Sequence, residues 1–166
     1  YQLSEIKGKH HSMFVDPSYA ASGEYRAFWE RLRKGEFLAE QFKRFAKGGK
    51  EIWIQASYNP IFDAKGRVTK VVKYATDITG RVFAVNSLAS GLSHLAEGRL
   101  NERIDTPLIP DLERLRLDFN NTVDKLGATL RRVGENAASI TGASEEIRTA
   151  SDDLSRRTEQ QAASVE

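Results

Sequence analysis

The stretch EIWIQASYNPIFDAKGRVTKVVKYATDIT, residues 51–79, decides the fold of the N-terminal half of the chain. Its first part, Glu51–Phe62, is rich in β-branched and aromatic residues, and Val68–Ile78 continues that composition after the turn sequence Asp63-Ala64-Lys65-Gly66. Two such runs separated by a short segment that contains glycine are typical of a β-hairpin. Because Pro60 cannot donate to a strand ladder, it predicts a strand edge or a bulge near the end of the first run.

The residues before this stretch predict one more strand and one helix. Glu36–Ala46 has the composition of a strand, and Gly48-Gly49 favours a tight hairpin into Glu51 because both positions tolerate positive φ. Asp16-Pro17-Ser18 predicts a turn. A helix is predicted over Gly23–Lys34, ended by Gly35, from the helical spacing of its large apolar residues Tyr25, Phe28, Trp29 and Leu32.

Composition divides the chain near Thr79-Gly80. Both tryptophans, all five tyrosines and six of the eight phenylalanines precede residue 81. Aromatic side chains carry much of the burial in compact domains, whereas the aliphatic residues after Gly80 suit helical seams. The first 80 residues hold 14 Lys or Arg against 9 Asp or Glu, without the dense basic stripe that tracks phosphates, so we expect no nucleic-acid partner.

The 166 residues include no cysteine, which excludes disulfides, zinc–thiolate sites and cysteine nucleophiles. No apolar run approaches the roughly 20 residues that a membrane span requires. We therefore expect a soluble, cytoplasmic protein without a membrane span, whose parent could be membrane-associated upstream. No glycine loop that would cradle phosphate and no nucleophile–histidine–acid arrangement occurs, so we expect no enzyme activity. His94 lacks the flanking acidic residue and proline of a phosphoacceptor histidine.

Residues 3–79 resemble the C-terminal half of a PAS domain. The matching features are Trp53 opening a strand, Pro60, the Asp63–Gly66 turn and the closing Asp77-Ile78-Thr79. Upstream, LSEIKGKHHSMF resembles the segment that follows the first strands and helices of that fold. The resemblance implies a partial PAS sensor domain over residues 1–80, a fragment whose first strands precede it. It also implies that the edge at Val68–Ile78 is open to pairing.

The resemblance raises the question of a cofactor. His10 and His11 form the only histidine pair, and one imidazole would serve as a haem ligand in a PAS cavity, as in some chemoreceptor PAS modules. Alternatively, the pair caps or packs a short helix beside Met13 and Phe14. Trp29 and Trp53 are either core residues or a stacking surface for flavin. The cofactor is therefore unknown: haem or flavin suits an intact PAS domain, and we expect neither in this fragment.

Residues 82–133 predict two helices joined by a connector. The first helix is expected to stop at Glu97-Gly98, and the second to start near Asp111, after Pro107 and Pro110. The segments LAEGRLNERI and PDLERLRLDFNNTVDKL resemble a HAMP domain, which we assign to residues 81–134. Neither helix can bury its apolar stripe alone, so a parallel bundle of two chains, a homodimer, is expected. The expected packing residues are Leu88, Leu92, Leu95, Leu100, Ile104, Leu112, Leu115, Phe119 and Leu126.

Apolar residues recur every seven residues through the C-terminal part of the chain. This spacing keeps one helix edge facing a partner helix, which predicts a long parallel dimeric coiled coil. The stretch RTEQQAASVE, Arg157–Glu166, resembles the first methylation region of bacterial methyl-accepting chemotaxis receptors. That resemblance implies that residues 135–166 begin the methyl-accepting signalling domain and that Gln160 is deamidated and methylated. The residues that repeat one heptad apart are Leu126, Val133, Ile140, Ile147, Leu154 and Gln161.

Together these resemblances predict an α+β protein: a partial PAS sheet-and-helix module, an all-α HAMP helix pair and a long coiled-coil helix. The function they imply is chemoreceptor signalling, in which PAS input passes through HAMP to control a chemotaxis histidine kinase. The implied partners are that kinase and its coupling protein, bound through regions beyond this chain, and the receptor methyltransferase and methylesterase/deamidase. The alternatives are the PAS–HAMP regulatory segment of a sensor histidine kinase or cyclase, and a purely structural dimerisation rod.

Overall fold

The computed structural model of the protein describes residues 1–163. The last three residues of the predicted methylation stretch, Ser164, Val165 and Glu166, lie outside the described residues. The predicted α+β class is confirmed: a PAS-like antiparallel sheet with helices is followed by a long helix. The elements in chain order are α1 (Leu3–Ile6), a 3-10 turn (His11–Phe14), α2 (Pro17–Ala20), α3 (Gly23–Arg33), β1 (Leu38–Phe45), a second 3-10 turn (Lys47–Gly49), β2 (Glu51–Phe62), β3 (Val68–Asp77), α4 (Thr79–Ala96) and α5 (Pro110–Ala163).

The chain divides into two compact units. The sheet unit comprises Tyr1–Ser87 and Leu108–Leu112, and the helical unit comprises Leu88–Pro107 and the chain from Glu113 onward. In the part of the chain that the structure describes, no helix combines the length and the hydrophobicity that a bilayer crossing requires.

The sheet runs in the order β1-β2-β3, with both neighbouring pairs antiparallel. Pairing with β1 ends where Leu38 lies opposite Tyr58, so Pro60 of β2 has a partner only on the β3 side. The register then shifts between Ile61 and Phe62. The strand irregularity predicted from Pro60 is thus confirmed. Within the described residues β3 forms one edge of the sheet, as predicted.

The core of the sheet unit lies between α3 and the inner face of β1 and β2. Phe28 meets Tyr58 edge to face, with 5.0 Å between the ring centroids, and Phe42 meets Tyr58 at 5.3 Å. Leu32 is completely buried because the helical spacing Phe28–Leu32 turns both residues toward the sheet. The buried members of this cluster are Phe28, Leu32, Leu38, Phe42, Ala56 and Tyr58.

Helix α3 shows why one predicted boundary was wrong. Ser22 caps its first turn by accepting from the Tyr25 amide at 3.1 Å, and Gly35 follows its end as predicted. The Glu36 amide then donates to the Arg31 carbonyl at 3.0 Å, so the backbone of Glu36 belongs to the helix end. Strand β1 consequently begins at Leu38 and not at Glu36.

Upstream of α3, the turn predicted at Asp16-Pro17-Ser18 is the start of a short helix. Asp16 is the N-cap of α2, and its carboxylate accepts from the Ser18 amide at 2.8 Å. Pro17 occupies the first helical position, where its missing N–H leaves no intrahelical bond unmade.

The helical unit has a small core of its own. Ile104, Phe119 and Val123 are buried, and three partly buried leucines pack against them: Leu88, Leu95 and Leu100. Phe119 approaches Gly91 so closely that a Cβ there would lie 2.8 Å from the ring. The absence of a side chain at Gly91 therefore lets α5 reach the backbone of α4.

The ends of the two long helices follow the predicted signals. Helix α4 stops at Ala96, and Gly98 has a φ of +79°, which residues with a Cβ rarely adopt. The Arg99 amide donates to the His94 carbonyl and the Gly98 amide to the Leu95 carbonyl, a pair of bonds that closes a helix end. Helix α5 begins at Pro110, one residue before the predicted start.

Candidate functional site

The site in the sheet unit is built around the histidine pair. His10 is the N-cap of the 3-10 turn His11–Phe14, and its Nδ1 accepts from the Ser12 amide at 3.2 Å. His10 itself is exposed, and capping the turn leaves its neighbour His11 directed at the aromatic core. The two adjacent histidines therefore have different roles: one orders the turn and the other enters the cluster.

His11 bridges two tyrosines from different elements. Its Nδ1 lies 3.1 Å from the hydroxyl of Tyr25 on α3, and its Nε2 lies 3.2 Å from the hydroxyl of Tyr58 on β2. The Tyr58 hydroxyl also accepts from Arg44 Nη2 at 3.3 Å. One proton arrangement satisfies this chain: Arg44 donates to Tyr58, Tyr58 donates to His11, and His11 donates to Tyr25.

Burial and the neighbouring positive charges favour the neutral imidazole of His11. Burial lowers the pKa of His11 to about 4, with further lowering by the positive charges of Arg44 and Lys73. Burial also raises the pKa of the Tyr58 hydroxyl, although the neighbouring Arg44 opposes that shift. The cluster is therefore a hydrogen-bonded set of neutral groups beside two cations.

The arrangement of the histidine pair does not fit a haem axial ligand. Both ring nitrogens of His11 face tyrosine hydroxyls, and its ring is surrounded by Tyr25, Trp29 and Tyr58 at centroid distances of 5.4 to 6.1 Å. His10 is engaged with Ser12. Of the residues weighed for flavin, Trp29 packs against the core, and Trp53 donates its indole N–H to Glu51. Among residues 1–163, no cluster of potential metal ligands comes together.

The predicted HAMP packing residues fall into three groups. Leu88, Leu95, Leu100, Ile104 and Phe119 come together in the core of the helical unit, whereas Leu112 is half-buried and belongs to the sheet unit. The other three, Leu92, Leu115 and Leu126, are exposed on the single chain. Val123, almost fully buried, was missed by sequence reasoning, although its position one helical turn after Phe119 could have indicated it.

The connector between α4 and α5 is fixed to α5 by hydrogen bonds. The Asn120 side chain accepts from the Ile104 amide at 3.0 Å and donates to the Ile104 carbonyl at 3.1 Å. Arg116 donates to the same carbonyl at 2.9 Å. At the other end, the carboxylate of Glu102 pairs with His94 and with Arg99. Both backbone groups of Ile104 are thus satisfied away from any helix, which holds its side chain in the core.

Gln160 lies on the last described turns of α5, and its side chain is exposed. The apolar residues that lie one heptad apart from Leu126 to Leu154 are also exposed, from 41% at Leu126 to 67% at Ile140 and Ile147. The heptad spacing predicted that these residues share one helix edge. Because α5 is continuous from Pro110 to Ala163, they all lie on the same helix.

Two members of the histidine cluster, Arg44 and Tyr58, were missed by sequence reasoning. Arg44 occupies an inward position of β1, two residues after Phe42, and this strand alternation was the available signal. Tyr58 had no such signal, because an inward tyrosine in a sheet is ordinary core.

The sheet unit contains the part of the chain that matches a known protein family. A family model described as PAS fold matches residues 1–75 of the chain. The matched range includes α1 to α3, β1, β2 and most of β3, and therefore the whole histidine cluster.

Among the proteins that are similar to this chain are two curated proteins and a solved structure. Biofilm dispersion protein BdlA of Pseudomonas aeruginosa is 45% identical over 96 residues, which cover 58% of this chain and 23% of BdlA. "Probable chemoreceptor y4sI" of Sinorhizobium fredii is 35% identical over 86 residues, 52% of this chain and 11% of that protein. The chain thus spans less than a quarter of either relative's length. The PAS domain of a Colwellia psychrerythraea protein is 18% identical, with a TM-score of 0.41, over 48% of this chain and 66% of that one.

Proposed function

We propose that this chain is a signalling segment of a cytoplasmic chemoreceptor, which passes input from a PAS domain through a HAMP domain to a methylatable coiled coil. The observation that carries the proposal is the 45% identity to BdlA over 96 residues, more than the matched PAS segment contains, together with the similarity to a protein named as a chemoreceptor. The chain acts by relaying conformation and performs no catalysis. Its output is the activity of a chemotaxis histidine kinase, bound with a coupling protein through other parts of the receptor.

The HAMP assignment to residues 81–134 is supported by the helix–connector–helix arrangement of the helical unit. A connector held by Asn120 and Arg116 links α4 to α5, with Ile104 as its anchor in the core. The apolar residues left exposed on the same helices, Leu92 and Leu115, supply the surface for a second chain. Two copies would complete a four-helix bundle in which a shift of one helix alters the packing of the others.

The homodimer is supported by the exposed heptad seam of α5. A helix with a continuous apolar edge in water gains stability when a second helix covers that edge. An identical copy offers the same seam at the same heights, which suits a parallel pair about a two-fold axis.

Gln160 is proposed as the modification site because it is exposed on this helix and has small neighbours in the sequence. Hydrolysis by the methylesterase/deamidase releases ammonia and leaves a glutamate. The glutamate carboxylate then attacks the methyl group of S-adenosylmethionine, and S-adenosylhomocysteine leaves as the methyl ester forms. Each step changes the local charge and therefore the repulsion between paired helices.

Methyl transfer tests the proposal directly. The Gln160→Glu variant is incubated with a chemoreceptor methyltransferase and S-adenosylmethionine, and peptide mass spectrometry locates any methyl ester. We expect esterification at position 160 and none in the matched Gln161→Glu variant at position 161. An unmodified position 160 under conditions that esterify a known receptor would refute the chemoreceptor assignment and leave the regulatory segment of a kinase or cyclase as the better reading.

A further inference from the structure

Glu146 on α5 has the same position relative to the heptad series as Gln160. Gln160 directly precedes Gln161 of that series, and Glu146 directly precedes Ile147, two heptads earlier. Each of the two residues also directly follows a glutamate. Because α5 is continuous between them, the two side chains lie near the same edge of the helix, about 21 Å apart along its axis.

The two glutamates of the pair Glu145-Glu146 differ in their contacts. Both are exposed, but the Glu145 carboxylate accepts from Arg148 Nε at 3.1 Å and from Arg148 Nη2 at 2.5 Å. These bonds lower the pKa of the Glu145 carboxyl and make its carboxylate the weaker nucleophile. Among the side chains that the structure describes, none forms an ion pair or a hydrogen bond with Glu146. Both oxygens of the Glu146 carboxylate are therefore available for reaction.

The helix surface around Glu146 is made of small residues. Residues three and four positions away are the neighbours of a side chain on a helix. For Glu146 these are Gly142, Ala143, Thr149 and Ala150. The Thr149 hydroxyl donates to the Glu145 carbonyl at 3.0 Å, so it is turned toward the backbone, and a Cβ at Gly142 would meet nothing within 4 Å. Neighbours on its own helix thus leave Glu146 open to a modifying enzyme.

The heptad between the two positions offers a natural comparison. Asp153 directly precedes Leu154 of the series, as Glu146 and Gln160 precede their members. Its side chain is one methylene shorter than that of a glutamate, and Arg157 Nη1 lies 3.9 Å from its carboxylate. Of these three equivalent positions, only 146 and 160 therefore have the length of a glutamate or glutamine side chain.

We propose that Glu146 is a second methylation site of this chain, esterified by the receptor methyltransferase that acts at position 160. A carboxylate oxygen of Glu146 attacks the methyl group of S-adenosylmethionine. The bond from that methyl group to sulfur breaks, S-adenosylhomocysteine leaves, and a neutral methyl ester remains. The inference rests on the proposed function, because it requires the same enzyme.

The two sites begin in opposite charge states. Gln160 is neutral until it is deamidated, whereas Glu146 is a carboxylate in the encoded chain and needs no deamidation. Methylation at Glu146 therefore removes one negative charge from each copy of α5 in a single step. In the proposed dimer this step lowers the repulsion between the paired helices.

Peptide mass spectrometry tests the site on the whole chain carrying Gln160→Glu. The chain is incubated with a chemoreceptor methyltransferase and S-adenosylmethionine, beside a known receptor as the control for enzyme activity. Trypsin cleaves after Arg132, Arg148 and Arg157, so positions 146 and 160 fall in separate peptides, residues 133–148 and 158–166. Fragmentation of the first peptide distinguishes position 146 from position 145. We expect a methyl ester at 146 and none at 145.

Two matched variants, made in the Gln160→Glu chain, assign the ester. Glu146→Asp should lower the ester in residues 133–148 at least roughly tenfold, because the carboxylate moves back by one methylene, and should leave position 160 unchanged. Glu145→Asp is the control and should keep the ester at 146. Both residues are exposed on α5, so the helix should form in each variant, which circular dichroism checks.

The outcomes separate this site from the proposed function. An ester at 160 without one at 146, or an ester in residues 133–148 that Glu146→Asp leaves unchanged, would overturn the second site and leave the proposed function standing. No ester at either position, under conditions that esterify the known receptor, would refute both.

Discussion

The sheet unit and helix α5 bury their apolar residues to opposite extents. In the sheet unit, Leu32 and Tyr58 are 0% and 1% exposed, enclosed by residues of the same chain. On α5, Val133 and Leu154 are 56% and 63% exposed, although they recur as regularly as any core residues in the sequence. Regularly spaced apolar side chains are thus buried by residues of the same chain in the sheet unit and remain exposed on α5.

This difference predicts two kinds of stability. Burial within a chain stabilises the sheet unit at any protein concentration, whereas burial of the α5 seam in the proposed dimer would depend on concentration. The helical unit combines both cases. Its small core of Ile104, Phe119 and Val123 is buried within one chain, whereas Leu92 and Leu115 are exposed.

The largest effect is expected in the sheet core. Leu32→Ala removes a completely buried side chain between α3 and the sheet and should lower the free energy of unfolding by about 2 to 5 kcal/mol. Urea denaturation followed by tryptophan fluorescence measures the change. Leu3→Ala, at a position that is 74% exposed, should stay within about 0.5 kcal/mol of the wild type. Similar losses in the two variants would mean that the sheet unit has no closed core.

The next effect depends on pH. His11 has a folded-state pKa of about 4, below the ordinary value of 6.5, so between these values the unfolded chain binds a proton that the folded chain does not. Stability should therefore fall as pH drops through this window, by up to about 3 kcal/mol, and should be unaffected by this group above about pH 7.

The matched variants are His11→Gln and His10→Gln. Replacing His11 should remove this part of the pH dependence, whereas replacing the exposed cap His10 should keep it. Urea denaturation at several pH values between 4 and 7.5, about half a unit apart, gives the slopes. Parallel pH profiles for the wild type and His11→Gln would contradict the neutral, tyrosine-bridged state of His11.

A smaller effect is expected where α4 meets α5. Gly91→Val places a side chain against the Phe119 ring, which leaves no room, and should destabilise the helical unit by about 1 to 3 kcal/mol. Gly134→Val is the matched control, because nothing lies within 4 Å of a Cβ there. Thermal unfolding followed by helical circular dichroism compares them. Equal midpoints would show that α4 and α5 do not pack as described.

The smallest effect concerns the connector. Asn120→Ala removes both hydrogen bonds to the backbone of Ile104 and should cost about 1 to 2 kcal/mol, since the amide of a buried residue loses its acceptor. Hydrogen exchange of the Ile104 amide should accelerate accordingly. Asn121→Ala changes an exposed neighbour and should leave that exchange rate unaltered. Unchanged protection of Ile104 in Asn120→Ala would remove the role assigned to Asn120.

Local signals in the sequence sufficed for most element boundaries. Strand β2 has the predicted bounds and β3 ends one residue early, because turn residues flank runs of β-formers. Gly98 ends α4 and Pro110 starts α5 for equally local reasons. The predicted start of β1 at Glu36 was wrong because the amide of Glu36 donates to the Arg31 carbonyl at the end of α3. A neighbouring element thus decided this boundary.

The histidine cluster could be predicted only in part. The sequence offered capping and packing as alternatives to haem ligation, and the structure has His10 capping and His11 packing. Which histidine does which depends on Tyr25 and Tyr58, which are 14 and 47 residues away from His11. No local pattern encodes such distances. Sequence periodicity also could not identify what packs against the α5 seam, because it predicts only that one edge of the helix is apolar.

The central claim is that a second copy of this chain covers the α5 seam, and sedimentation equilibrium tests it most directly. The wild-type chain should sediment as a dimer at micromolar concentration, as should Thr141→Asp, which changes an exposed residue beside the seam. Ile140→Asp, which places a charge on the seam itself, should sediment as a single chain. A monomeric wild type, or a dimer that Ile140→Asp leaves intact, would contradict the account.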